Sequence, residues 1–177
     1  METLRTLIIH PRDASTQFLK KLYIEDATII TAPNVSNGVL KRAIKDHDRI
    51  VMIGHGCPTG LYYPTNYNRM LISSKHVQLL REKLYIGIWC FASDFFKKYK
   101  LRGAVTGMFI SETDESWHFL GMNSVEAQPM IDESHALLAD SFKNGEYQKA
   151  LSAYKQENLN EIQKYNADKI EFFDWTQ

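Results

Sequence analysis

The stretch IVMIGHGCPTGLYYP, residues Ile50–Pro64, contains the change of pattern on which the fold of this chain turns. Ile50, Val51, Met52 and Ile53 form an apolar, largely β-branched run of strand length, with no polar alternation to give it a solvent face. Gly54 closes the run, and His55, Gly56 and Cys57 follow before proline and glycine turn the chain into loop. A buried strand thus presents a histidine and a thiol at its carboxyl tip.

The same unit recurs on either side. TLIIH (Thr6–His10) is a short apolar run closed by Pro11, and DASTQFLKKLYI behind it carries Phe18, Leu19 and Leu22 at helical spacing. ATIIT (Ala27–Thr31) is β-branched and ends in Ala-Pro-Asn. VSNGVLKRAIKDHD then offers Ser36 or Asn37 as N-cap and sets Val39, Leu40 and Ile44 on one helical face. Downstream, CPTGLYYPTNYNRMLISS keeps neither period and reads as a surface excursion with room for a hairpin. KHVQLLREK gives a brief helix, LYIGIW (Leu84–Trp89) a fourth strand, SDFFKKYK a helix with Ser93 as N-cap, and GAVTGMFIS (Gly103–Ser111) a fifth strand. From Asn123 two helical periods follow, parted by Asn144-Gly145, and KIEFFDW supplies a last strand. Alternating strands and helices predict an α/β fold in one domain over residues 1–177. It is a three-layer, open, mostly parallel sheet with helices on both faces, a flavodoxin-like core and a helical C-terminal portion from about residue 123.

The totals narrow the function. Of 177 residues 44% are hydrophobic and 24% charged, with 21 basic against 21 acidic side chains, so no excess of charge draws the molecule to nucleic acid or an anionic membrane. Neither is expected as a partner. No apolar run approaches the roughly 20 residues of a membrane span, and METLRTLIIHPRD has no small-residue cleavage site, so a cytoplasmic location is expected. The two cysteines, Cys57 and Cys90, make neither a disulfide framework nor a Cys-x-x-Cys pair. His10, His47, His76, His118 and His135 lack metal-ligand spacing, and no metal or cofactor is expected. Phosphate-binding, dinucleotide-binding and serine-elbow motifs are absent from the sequence.

Parallel sheets bind ligands in the crevice beyond the carboxyl ends of their strands. His55 ends the third strand and Cys90 the fourth, so neighbouring placement of these strands would bring imidazole and thiol to one crevice. Thiolate is a nucleophile, and an adjacent imidazole generates it or protonates a leaving amine. Gly56 has no side chain to block a substrate, and its N–H together with that of Cys90 would serve a developing oxyanion.

His-Gly at the end of one strand, an apolar strand ending in Cys (LYIGIWC), then a helix and a strand opening with Gly (LRGAVTGMFIS) together resemble the caspase-like cysteine peptidases, the group of caspases, metacaspases, gingipains, clostripain, legumain and separase. The likeness in layout spans roughly Thr6–Ser111, with the His-Gly and the strand-Cys as its close matches. The resemblance implies that His55 is the catalytic histidine, Cys90 the nucleophile and Gly56 an oxyanion donor, with a peptide or protein as substrate. Asp94, Glu112 and Asp114 are candidates by position for a specificity acid, and Tyr62 and Tyr63, with Tyr67, for the wall of a substrate groove.

The alternative is a catalytically inactive relative that keeps the fold as a binding or regulatory module. Its support is Phe91 directly after Cys90, where many members of the family have a small residue, and the want of an identifiable specificity acid. Cys57 has three readings: a loop thiol, a second reactive group, or a partner for Cys90 in a reversible disulfide. Phe95, Phe96 and Tyr99 are expected to face the core.

Overall fold

Six strands line up edge to edge in the order β2-β1-β3-β7-β8-β9, in a computed structural model that describes residues 4–31, 35–64, 66–142 and 158–175. Their ranges are β1 Thr6–Ile9, β2 Thr28–Ile30, β3 Arg49–Ile53, β7 Leu84–Ile88, β8 Gly103–Thr106 and β9 Ile170–Phe173. The first five pair in parallel, and β9 closes the edge antiparallel to β8. Counted along the chain, the parallel strands have the order 2-1-3-4-5, a doubly wound arrangement whose direction reverses between β1 and β3. The expected open, mostly parallel α/β sheet is present.

Alternation along each strand sorts the core into two layers. Leu7, Ile9, Ile50, Met52, Tyr85 and Val105 meet Leu40 and Ile44 of α1 (Asn37–Asp46), Leu80 of α2 (Val77–Leu80), and Phe95 and Phe96 of α3 (Ala92–Tyr99). Ile8, Val51, Ile53, Ile86, Ile88 and Ala104 point the other way. They pack on Leu19 and Leu22 of the 3-10 helix Gln17–Leu22 and on Leu138 and Phe142 of the long helix Ser124–Phe142. Ser36 is the N-cap of α1, its hydroxyl accepting from the Val39 N–H at 3.3 Å. Phe95 and Phe96 are fully buried and Tyr99 partly, as their helical spacing requires.

The excursion after β3 folds into a second, three-stranded antiparallel sheet of β4 (Gly56–Cys57), β5 (Gly60–Tyr63) and β6 (Asn66–Ile72). The expected hairpin is thus larger and more regular than its broken periodicity suggests. Leu61, Tyr63, Leu71 and Ile72 turn inward and join the first core layer, which holds the sheet against the body.

Two boundaries differ from expectation. The helix after Cys90 starts at Ala92, with Phe91 rather than Ser93 at its N-cap, because the chain turns from strand to helix within Trp89–Phe91. β8 ends at Thr106, where the backbone leaves the sheet toward α4 (Thr113–Leu120), a helix that periodicity did not announce. The long helix over Ser124–Phe142 is α5, and α6 spans Glu161–Ala167. The Asn144-Gly145 break and the Ala-Pro-Asn after β2 lie outside the described residues. Among the described residues, no helix is long and apolar enough to cross a membrane.

Candidate active site

The register between β3 and β7 builds this site. Ile53 stands opposite Ile88, and the Gly54 N–H donates to the Ile88 carbonyl at 3.0 Å, so His55 and Cys90 leave the sheet at the same level. Gly54 has φ 142°, a conformation that glycine adopts freely and other residues rarely, while a Cβ there would meet the Pro11 ring only in ordinary contact at 3.4 Å. This turn lifts His55 out of the strand line. Both side chains line one crevice at the carboxyl end of the sheet, beside the β1/β3 reversal, with Ser15, Trp89, Thr106, Phe109 and Glu115 around them.

Cys90 occupies a tight strand-to-helix turn. Phe91 has φ 65° and ψ 29°, a left-handed conformation that is uncommon for a bulky residue and concentrates at functional sites. Phe91 is 39% exposed and stands outside the residues that line the crevice. Cys90, like Cys57, is half-exposed, and the crevice its side chain lines measures about 40 Å³, room for little more than one water. Burial pushes the Cys90 thiol up to about 11, the Glu115 carboxylate adds to this, and a hydrogen bond from the Phe109 backbone opposes it without prevailing. At neutral pH the resting side chain is a thiol.

His55 is half-buried and held from one side. Its Nε2 lies 2.7 Å from Ser15 Oγ and 3.2 Å from Asp13 Oδ2. The Asp13 carboxylate is itself fixed, since Oδ1 accepts from the Thr16 N–H at 3.0 Å, the Thr16 hydroxyl at 3.0 Å and the Ser15 hydroxyl at 3.1 Å. Burial pushes the Asp13 carboxyl up, but His55 beside it and these hydrogen bonds outweigh burial and hold it below the usual carboxylate range. His10 ends β1 beneath this loop, fully buried, with Nδ1 2.9 Å from the Tyr23 hydroxyl and Nε2 3.3 Å from Thr16 Oγ1. Burial, with Arg12 nearby, pushes its pKa down to about 4, so it is a neutral packing histidine.

The other named residues fall elsewhere. Gly56 packs on Trp89: a Cβ would come within 2.2 Å of the indole Cδ1 and 2.6 Å of the Gly60 carbonyl oxygen, so close packing alone demands glycine here. Asp94 is exposed on α3, while Glu112 and Asp114 are exposed at the start of α4. Their neighbour Glu115 is the acid that lines the crevice, its Oε2 accepting from the Ser111 N–H at 2.7 Å and the Glu112 N–H at 3.1 Å. Tyr63 is buried, with its hydroxyl donating to the Val35 carbonyl at 3.2 Å. Tyr62 is half-exposed and Tyr67 exposed; their rings lie 5.6 Å apart, and Tyr67 meets the His55 ring edge-on at 5.6 Å.

Cys57 is half-exposed beside Thr59, whose hydroxyl is 3.0 Å and whose N–H is 3.5 Å from the sulfur. Burial raises this thiol, but hydrogen bonds from Thr59 and Tyr62 outweigh it, and the net displacement is downward.

Asp13, Ser15 and Glu115 are the members of the site that sequence reasoning missed. Asp13 and Ser15 offer only an Asp-x-Ser-Thr run after the first strand, which reads as helix capping. A larger cleft of about 1000 Å³ opens at the opposite, amino-terminal end of the strands, among Arg81, Lys83, Lys98, Lys100, Arg102 and Trp175, and holds neither thiol nor histidine. No protein-family profile, curated protein or solved structure matches this chain.

Proposed function

We propose that the chain is a cysteine peptidase of the caspase-like type, hydrolysing a peptide bond with Cys90 as nucleophile and His55 as general acid and base. The observation that carries this reading is the β3–β7 register, which sends His55 and Cys90 into one crevice at the carboxyl ends of adjacent parallel strands. The raised thiol dictates the order of events. Cys90 gives its proton to His55 as sulfur attacks the peptide carbonyl, and the backbone N–H of Cys90 takes the oxyanion. The C–N bond then breaks with return of that proton to the leaving amine, and water hydrolyses the thioester to free the acid and restore the thiol.

A second reading has its own support. The cavity of about 40 Å³ does not admit a peptide in this conformation, which favours a closed, non-catalytic module that keeps the fold for binding or regulation. One experiment separates the two. Native protein is exposed to peptidyl acyloxymethyl ketones ending in Arg, Lys, Asp or Leu, and the modified residue is mapped by mass spectrometry. Peptidase chemistry requires labelling of Cys90 that is lost in His55→Ala, while labelling that persists unchanged in that variant overturns the dyad. Silence at Cys90 with every probe supports the closed module.

A further inference from the structure

The loop after β1 holds more than a cap. We infer that Asp13 and Ser15 are positioning residues for His55, fixing its neutral imidazole as the Nε2–H tautomer and so leaving Nδ1 as the basic nitrogen of the site. This rests on the peptidase reading for its use, but the tautomer itself does not.

The argument is an accounting of protons. Ser15 has one hydroxyl proton and two neighbours that would take it, Asp13 Oδ1 at 3.1 Å and His55 Nε2 at 2.7 Å. Asp13 Oδ1 already receives both the N–H and the hydroxyl of Thr16, while Asp13 Oδ2 is buried without a hydrogen-bond partner and has the His55 Nε2 3.2 Å away as its ion-pair neighbour. A buried carboxylate oxygen is stabilised by a proton on the nitrogen facing it and destabilised by a lone pair there. A proton on His55 Nε2 is accepted by Ser15 Oγ at 2.7 Å and sets positive charge density, in place of a lone pair, beside the Asp13 Oδ2 at 3.2 Å.

With Nε2 protonated, the Ser15 hydroxyl turns toward Asp13 Oδ1 and the network closes with every proton placed. The opposite tautomer sets a lone pair of Nε2 against the Asp13 carboxylate at 3.2 Å. Among the described residues no hydrogen bond reaches His55 Nδ1, so this nitrogen is the one free to take the Cys90 proton and return it to the leaving amine. Thr16 extends the support downward: its hydroxyl donates to Asp13 and accepts from buried His10, which anchors the loop to the end of β1.

This arrangement makes a sharp forecast for Asp13→Asn. The three donors on Oδ1 keep the amide oxygen on that side, so the new NH₂ group occupies the place of Oδ2 and donates to His55 Nε2. The imidazole must then carry its proton on Nδ1, the wrong nitrogen for a base. A comparable tautomer error in a serine-protease triad costs about 10⁴ in kcat, and a loss of roughly 10²–10⁴ in the rate of Cys90 modification by a substrate-like ketone is expected here. Ser15→Ala leaves the carboxylate in place and should keep the tautomer with a smaller loss.

The test is nitrogen-15 NMR of the imidazoles in the intact protein, with the His55 resonances assigned by their disappearance in His55→Ala. The expected result is an Nε2–H spectrum in the wild type and an Nδ1–H spectrum in Asp13→Asn. A wild-type imidazole protonated on Nδ1, or equally on both nitrogens, overturns the inference, even where Asp13→Asn fails to fold. Ketone labelling read beside the spectra keeps the two readings apart. Tautomers as expected with no labelling of Cys90 in any variant would uphold the positioning role and sink the peptidase. Labelling of Cys90 at equal rates in wild type and Asp13→Asn would uphold the peptidase and sink the role of Asp13.

Discussion

Cys57 and Cys90 flank the same tryptophan and have opposite surroundings. Cys57 lies on β4, where Thr59 and Tyr62 direct hydrogen bonds at its sulfur and hold the thiol below its ordinary range. Cys90 lies in the turn out of β7, where burial and Glu115 push the thiol up to about 11. Trp89 joins them: its indole N–H donates to the Cys57 carbonyl at 3.2 Å, and its own carbonyl accepts from the buried Thr106 hydroxyl at 3.1 Å. The activated thiol is therefore the one remote from the sheet register, and the one placed by the register is not activated at rest. Placement and activation are separate properties, because placement follows from backbone topology while activation follows from which donors and charges reach the sulfur.

The largest blow to this comparison would come from the contact that seats β4 against Trp89. In Gly56→Ala the new methyl would stand 2.2 Å from the Trp89 ring and 2.6 Å from the Gly60 carbonyl oxygen, and neither the buried indole nor the backbone of β5 can retreat cheaply. Overpacking of this kind costs about 3 kcal/mol. Urea denaturation should show a matching fall in midpoint at unchanged slope. Stability equal to that of the wild type would mean that β4 does not rest on Trp89, and the two thiols would no longer share a wall.

That glycine also marks the limit of what the sequence discloses. Strands such as TLIIH and RIVMIG are legible because burial on both faces leaves an unbroken apolar run, and from them follow the parallel sheet and the shared exit of His55 and Cys90. Gly56 is legible as a residue that something approaches closely, but only the fold shows that Trp89 is what approaches. Asp13 is hidden for a related reason. Its partner His55 is distant in sequence, and a capping carboxylate looks the same whether or not an imidazole later docks on its free oxygen. Glu115 is concealed by helix geometry, since α4 turns its third residue to the crevice and leaves Glu112 and Asp114 in solvent. The antiparallel sheet after His55 escapes periodicity because Tyr62 and its neighbours pair in irregular register with β6, which breaks the alternation that announces a strand.

A small, unselective electrophile should sharpen the contrast between the thiols. At pH 7 a thiol titrating near 11 is ionised about one part in 10⁴ and an ordinary thiol more than about one part in 10², a fraction that the downward displacement of Cys57 raises further. The weaker intrinsic nucleophilicity of the more acidic thiolate recovers about half of that logarithmic gap. Iodoacetamide should therefore modify Cys57 about tenfold faster than Cys90, as read by peptide mass spectrometry over time. The sign with pH follows from the same displacements. The Cys90 rate should climb about tenfold per unit up to about 11, and the Cys57 rate should level off below the usual thiol range. Equal rates at pH 7 would mean that the crevice opens often enough to solvate Cys90 and that burial does not govern its ionisation.

The smallest effect isolates the donors from everything else. Thr59→Val removes the hydroxyl 3.0 Å from the Cys57 sulfur and keeps the volume, the β-branch and the backbone N–H at 3.5 Å. One neutral hydrogen bond of this kind is worth about 1 kcal/mol or less, so the Cys57 alkylation rate at pH 7 should fall about threefold. The Cys90 rate should not move, because Thr59 touches neither the Asp13 loop nor the turn after β7. A fall at both thiols would show that the β4–β5 turn supports the crevice through Trp89, and the separation of placement from activation would fail at the residue that joins them.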